Sequence, residues 1–185
     1  MFEKERFIAE CRAALKESNA QAAIQELVAR AVNEPAQIIR ALGEPQLAGV
    51  ETLYKADDLT ILNLCWGPRM VFKPHDHRMW AVIGIYGGQE QNIFYRRGEH
   101  ELQRHGTKKL HAKDTIPLGA EIIHAVTNPL DRITGAIHVY GGDFFAMPRS
   151  EWDPTTFAEH PYDIDHTMRA FADANKDLSG NMTGG

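Results

Sequence analysis

At Val50 the apolar residues change their period, and no other feature of the chain limits its fold so strongly. Before that point Phe7, Cys11 and Leu15 recur at helical spacing, as do Ile24, Leu27, Val28 and Ala31, which predicts two amphipathic helices. A third is expected from Asn33, a capping residue, with Pro35 in its first turn, Ile38, Ile39 and Leu42 on one face, and Gly43 as its stop. After Val50 come short segments rich in β-branched and aromatic residues: VETLY, TILNLCW, MWAVIGIY, QNIFYRR, HELQR, HAKDTI, EIIHAV and RITGAIHVY. Turn signals such as ADD, WGPR, YGGQ and RRGEH divide them. About eight strands at that spacing favour a sandwich or a small barrel. The expected layout is a single domain, with a helical segment over 1–45, a β body over 50–143 and an irregular segment over 144–185. The last stretch, DANKDLSGNMTGG, has too few apolar residues to pack and is expected to be loose.

Composition narrows the partners. A chain of 185 residues, 43% of them hydrophobic, can bury one sizeable core. Its net charge of -5 and its scattered basic residues give no pull toward nucleic acid or an anionic membrane. No window has the apolar length of a membrane span, and MFEKERFIAE is too charged for a signal peptide, so a cytoplasmic protein is expected. Oligomeric state leaves no signature. Cys11 and Cys65 lie in periodic apolar contexts, which suits buried free thiols better than a disulfide or a redox pair.

The chemistry concentrates in histidines. On a strand, residues two apart share a face, so His75 and His77 in KPHDHR would present both imidazoles to one point if the strand begins by Pro74. A bare His-x-His also occurs as ordinary loop chemistry. His124, in EIIHAVTNP, shares a face with Ile122 and Val126, where a neutral imidazole needs either a metal or a hydrogen-bonding partner. In GAIHVYGGD, His138 and Tyr140 have one parity and Ile133, Ile137 and Val139 the other, so the polar pair faces one place, whether toward a site or merely toward local partners. His100, His105, His111, His160 and His166 stand near turns or in irregular sequence and are expected at the surface. Trp80, Phe94, Tyr95 and Trp152 can wall a pocket, although aromatic residues at such spacing more commonly fill a core.

HDH opening one strand and HAVTN in a later one together resemble the cupin superfamily over about Val50 to Asp143. The resemblance implies a mainly β, jelly-roll (double-stranded β-helix) barrel preceded here by N-terminal α-helices, with His75, His77 and His124 as metal ligands. Many cupins carry a glutamate four or five residues after the histidine pair, where this chain has Ala81 and Val82. Three neutral ligands would leave a divalent metal its full charge and open positions for an anionic substrate atom, a thiolate being the obvious candidate.

With LCWGP, WAVIGIYGG and IHVYGGDFFA added, the chain resembles the thiol dioxygenases acting on cysteine and 3-mercaptopropionate. That implies an iron(II) oxidoreductase using dioxygen to convert a small thiol into its sulfinic acid. By the same resemblance Tyr140 is a phenol beside the metal and His138 its hydrogen-bond partner. The serine usually found two residues before that histidine is Ala136 here, so the relay is one hydroxyl short. The tyrosine–cysteine thioether of animal cysteine dioxygenases has no cysteine to form it, since Cys65 belongs to a preceding strand. Mercaptopropionate-type enzymes place an arginine nine residues after the tyrosine, and Arg149 stands at that distance; its planar fork suits a carboxylate. The alternative for Arg149 is a surface ion pair with Glu151 or Asp153. Where cysteine-selective enzymes carry their arginine this chain offers Lys55, and Arg78 has the parity that points away from the ligands. Two rival functions are a diketone-cleaving three-histidine dioxygenase and a non-catalytic cupin that binds a small ligand.

Overall fold

The structure, a computed structural model, describes residues 1–99 and 101–182. Its first three elements are α1 (Lys4–Ala14), α2 (Ala20–Val32) and α3 (Pro35–Leu42). Asn19 caps α2, its Oδ1 accepting from the Ala22 N–H. Asn33 does not start the third helix as expected. It closes α2, and α3 begins at Pro35, whose missing N–H costs nothing in a first turn. Gly43, at φ 90, ends α3 in a backbone conformation that side-chain-bearing residues avoid.

The β body comprises β1 (Gly49–Lys55), β2 (Thr60–Trp66), β3 (Val71–Asp76), β4 (Ala81–Gly87), β5 (Gln89–Arg97), β6 (Leu102–His111), β7 (Thr115–Leu118), β8 (Ile123–Thr127), β9 (Thr134–Tyr140), β10 (Ser150–Trp152) and β11 (Glu159–Pro161). They form two antiparallel sheets, ordered β1-β2-β9-β4-β7 and β11-β10-β3-β8-β5-β6. Setting aside the added edge strands β1, β10 and β11, each sheet is one half of a jelly roll, with sequence-distant strands interleaved. The fold is therefore mainly β, of the cupin type, behind N-terminal helices, as the resemblance implied.

The alternation of side chains explains why both faces of one sheet are apolar. Leu62, Leu64, Trp66, Ile83, Ile85 and Ala136 point between the sheets, while Ile61, Val82, Tyr86, Ile137 and Val139 point outward into a second core with Phe7, Cys11, Ile24, Val28 and Ile38 of the helices. The helices thus cover a sheet face too apolar for water. Gln21 ties α2 to that sheet by donating to the carbonyls of Ala81 and Leu118. Gly84 lets the helix come this near, since a Cβ there would lie 2.3 Å from Val28 Cγ1.

HELQR and HAKDTI overlap two strands as expected, although the first, β6, runs on to His111, the second, β7, opens only at Thr115, and the β5–β6 pairing shifts register at Phe94/Tyr95. Two other expectations fail. The segment after Asp143 is not irregular, for it adds β10 and β11 and then α4 (Ile164–Met182). Nor is the start of that last stretch loose, since α4 runs through it from a packed first half. Phe171 packs against Trp66 and Phe72, each at 5.5 Å between ring centroids, and Asn175 both donates to the Ala48 carbonyl and accepts from its N–H. Tertiary contacts supply the apolar partners that the segment's own composition lacks. Residues 183–185 lie outside the described range, as does His100. Phe171→Ala is expected to lower stability by about 3 kcal/mol, measured by urea unfolding, because the ring closes one end of the inner core. Among the described residues no helix is long and apolar enough to cross a membrane.

Candidate metal centre

His75 lies on β3 and His124 directly across from it on β8, as register partners. Pro74 cannot donate to the ladder, and the β3–β8 pairing shifts register between Phe72 and His75, a bulge that re-aims the strand end. His77 follows the strand. The chain then turns through Arg78 at φ 55, and Asp76 fixes that turn by accepting from the Ser150 N–H and from Arg78 Nε at 2.6 Å. Arg78 accordingly points away from the site, as its parity predicted.

The three histidines meet. One ligand atom from each of His75, His77 and His124 falls within 4.8 Å of the others, and all three side chains are buried. The rings are presented metal-ready. His75 Nδ1 lies 2.9 Å from the Lys73 carbonyl and His124 Nδ1 lies 2.6 Å from Asn92 Oδ1, so the proton sits on Nδ1 in both and each Nε2 lone pair is free. His124 Nε2 and His77 Nε2 approach to 3.3 Å. Burial pushes the His75 imidazole down to about 4, and burial and then the neighbouring imidazoles hold His77 and His124 well below the ordinary histidine value. Neutral imidazole is the ligating form.

This gives a pH expectation for the metal-free protein. A folded-state pKa below the unfolded one means that the unfolded chain takes up protons first. The stabilisation is complete above about 6.5 and is lost as the pH falls through about 4. Urea midpoints measured from pH 7 to pH 4 should fall over that window, and should fall less in His75→Asn.

The histidines share a small cavity, about 30 Å³, otherwise walled mainly by apolar side chains including Leu62, Leu64, Phe72, Val126 and Phe171. His138 and Tyr140 also line it, with His138 Nδ1 3.0 Å from the phenol oxygen, so the pair that sequence parity put on one face does come together. Burial raises the Tyr140 phenol above its ordinary value and keeps it protonated. The Tyr140 ring lies 5.1 Å from that of His77.

Arg149 makes no ion pair with Glu151, which instead binds Lys73, nor with Asp153. It is 8% exposed, and its guanidinium carbon stands 3.9 Å over the ring of Phe144 and 3.8 Å over that of Tyr162, two residues that line the cavity. Among the described residues its Nη1 has no hydrogen-bond partner. Desolvation lowers the guanidinium pKa, although Tyr162, Tyr140 and Asp76 favour its charge. A cation buried in this way is complete only with an anion beside it. Lys55, the other cation considered, pairs with Asp143 at 3.1 Å.

Of the four aromatic residues proposed as pocket walls, only Phe94 approaches the site, stacked on the His124 ring at 6.4 Å. Trp152 packs with Leu102 and Ile123, while Trp80 abuts Gly141 and the helix-side core. Cys11 is buried and Cys65 half-buried, both free, and burial raises both thiols. Cys65 lies 3.8 Å from the Tyr86 hydroxyl, away from Tyr140. Asn128 of HAVTN is structural, its amide donating to the carbonyls of Trp66, Gly67 and Arg132.

Sequence reasoning missed Glu90, Asn92 and Trp66. Glu90 is wholly buried; its Oε1 accepts from Asn92 Nδ2 at 2.9 Å and its Oε2 from Trp66 Nε1 at 2.8 Å. The signal was present as two polar residues, 90 and 92, on the inward parity of a strand.

No protein-family model matches the chain. Solved structures with a similar course include an RmlC-like cupin from Methanocaldococcus jannaschii (11% identity, covering 55% of this chain and 86% of that one, TM-score 0.45). Others are the DMSP lyase DddQ from Ruegeria pomeroyi (17%, covering 59% and 53%, TM-score 0.46) and an oxalate decarboxylase from Lactobacillus farciminis (16%, covering 54% and 30%, TM-score 0.42). The fold assignment stands on the strand order itself. A buried three-histidine group inside such a barrel fits a metal-dependent enzyme. The fit holds on chemical grounds, since three buried imidazoles converging within 4.8 Å suit a first-row divalent ion.

Proposed function

We propose that this protein is an iron(II) thiol dioxygenase acting on a small mercapto-carboxylic acid, of which 3-mercaptopropionate is the preferred example. The observation that carries the reading is the buried, unpaired Arg149 one aromatic ring away from three metal-competent histidines: Phe144 lies 6.2 Å from His77, and Tyr162 lies 5.9 Å from His75. His75, His77 and His124 would hold the iron, which supplies thiolate coordination and the redox step with dioxygen. In that reaction both atoms of dioxygen end on sulfur. The sulfur loses four electrons and the dioxygen gains four, so RSH becomes RSO₂H without a further reductant.

The side chains of this protein do the rest. Arg149 binds the substrate carboxylate through its planar fork and so fixes where the sulfur stands. Tyr140, held protonated by burial, places its phenol oxygen beside the reacting atoms, where it handles a proton together with His138. Leu62, Leu64, Phe72 and Phe171 exclude water, which strengthens both interactions. No carboxylate lines the cavity among the described residues, so nothing there would pair with the ammonium group of cysteine. That favours a deamino thiol acid.

The test is oxygen uptake by the iron-loaded protein with 3-mercaptopropionate, cysteine, cysteamine and acetylacetone. The expected order puts 3-mercaptopropionate first, with its sulfinic acid as product. Uptake with acetylacetone alone would assign the diketone chemistry, and protein that neither retains iron nor consumes oxygen would be a binding cupin.

A further inference from the structure

Ala136 leaves the His138–Tyr140 pair without the hydroxyl that the resemblance led one to expect, yet His138 is not left alone. Glu90 Oε2 stands 3.4 Å from His138 Nε2, both side chains being almost wholly buried. The separation and alignment fall short of a hydrogen bond, and His138 Nε2 has no other partner. Burial works against charge on Glu90, but the adjacent His138 and the Asn92 and Trp66 donors outweigh it and hold the carboxyl below its ordinary value. A carboxylate oxygen has room for two donors, so Oε2 can accept from Trp66 and from His138 together. The other oxygen faces Asn92, whose amide is thereby oriented with Oδ1 toward His124. One anion therefore touches both halves of the site.

We propose that Glu90 is a positioning residue: it holds His138 as the Nε2–H tautomer, so that Nδ1 accepts the Tyr140 phenol proton, and it locks the Asn92 amide that orients the metal ligand His124. A carboxylate thereby does the work of the missing hydroxyl, as the aspartate of a serine-protease triad holds its histidine in one tautomer. The proposal rests on the reading of His138 and Tyr140 as the proton-handling pair, but its readouts need no substrate.

The first test is imidazole ¹⁵N NMR on metal-free, histidine-labelled protein, with the His138 signals assigned by their loss in His138→Gln. The expected result is a single Nε2–H tautomer for His138 in the unaltered chain. A dominant Nδ1–H tautomer overturns the proposal without any Glu90 variant. The second test is Glu90→Gln, which is isosteric and whose amide can donate to Nε2 where the carboxylate could only accept. It should give a mixed or reversed His138 tautomer and about a 10-fold or greater loss of zinc(II) affinity in chelator competition. Unchanged tautomer and zinc affinity in a folded Glu90→Gln protein would overturn it. In the loaded enzyme the same variant should lower kcat with KM little changed, and adding Ala136→Ser should restore part of that loss. A protein that passes the NMR and zinc tests yet oxidises no thiol would refute the proposed function and leave the role of Glu90 standing.

Discussion

His124→Ala is expected to abolish tight metal binding and, with it, turnover. His124 would supply one of three ligands in the proposed site, with its Nδ1 committed to Asn92 and its Nε2 facing His77. Losing a supporting hydrogen bond behind a ligand costs roughly 10–100-fold in metal affinity, so losing the ligand itself should cost more than about 100-fold. Metal content after loading and desalting, read beside oxygen uptake, checks this. A His124→Ala protein that keeps full iron occupancy and full activity would show that the imidazoles do not share a metal. The ring is buried at 1% exposure, and a cavity is created as well, so thermal unfolding should accompany the assay.

Arg149→Met should separate binding from folding. Deleting the cation that meets a buried carboxylate is worth about 2–5 kcal/mol, which is roughly a 30- to 5,000-fold fall in kcat/KM for 3-mercaptopropionate. Cysteamine, which has no carboxylate, should be affected little. Stability should hold or rise, because the guanidinium has an unpaired Nη1 and no ion-pair partner, and an apolar side chain of similar length suits the space between Phe144 and Tyr162. Arg149→Lys should fail to rescue, since an ammonium cannot offer the planar fork. Wild-type kinetics in Arg149→Met with carboxylate-bearing thiols would remove the reason for preferring a mercapto acid.

These two residues differ in how they could be found. The histidines are legible because strand parity is a local property: His75 and His77 are two apart, and period-two alternation decides their face whatever the rest of the chain does. His138 and Tyr140 follow the same rule. Arg149 has no such signal. It was placed by resemblance, and its burial between Phe144 and Tyr162 depends on a strand, β10, that pairs with β3 at the single register position Glu151–His75. Three residues of strand carry no readable period. Glu90 and Asn92 lie on the inward parity of β5, but a glutamate is tolerable on that face only with the donors that folding brings to it.

Periodicity, turn residues and strand parity determined by themselves the two-part architecture, the helical cover and the faces that carry the histidines, because each depends only on near neighbours in the chain. Tertiary structure alone decided that β3 and β8 bring His75 and His124 into register, that α4 closes the barrel, and that Glu90 meets the donors Asn92 and Trp66 beside His138. Those outcomes depend on partners dozens of residues apart. The balance between the cost of burying a charge and the donors waiting for it exists only once the chain has folded.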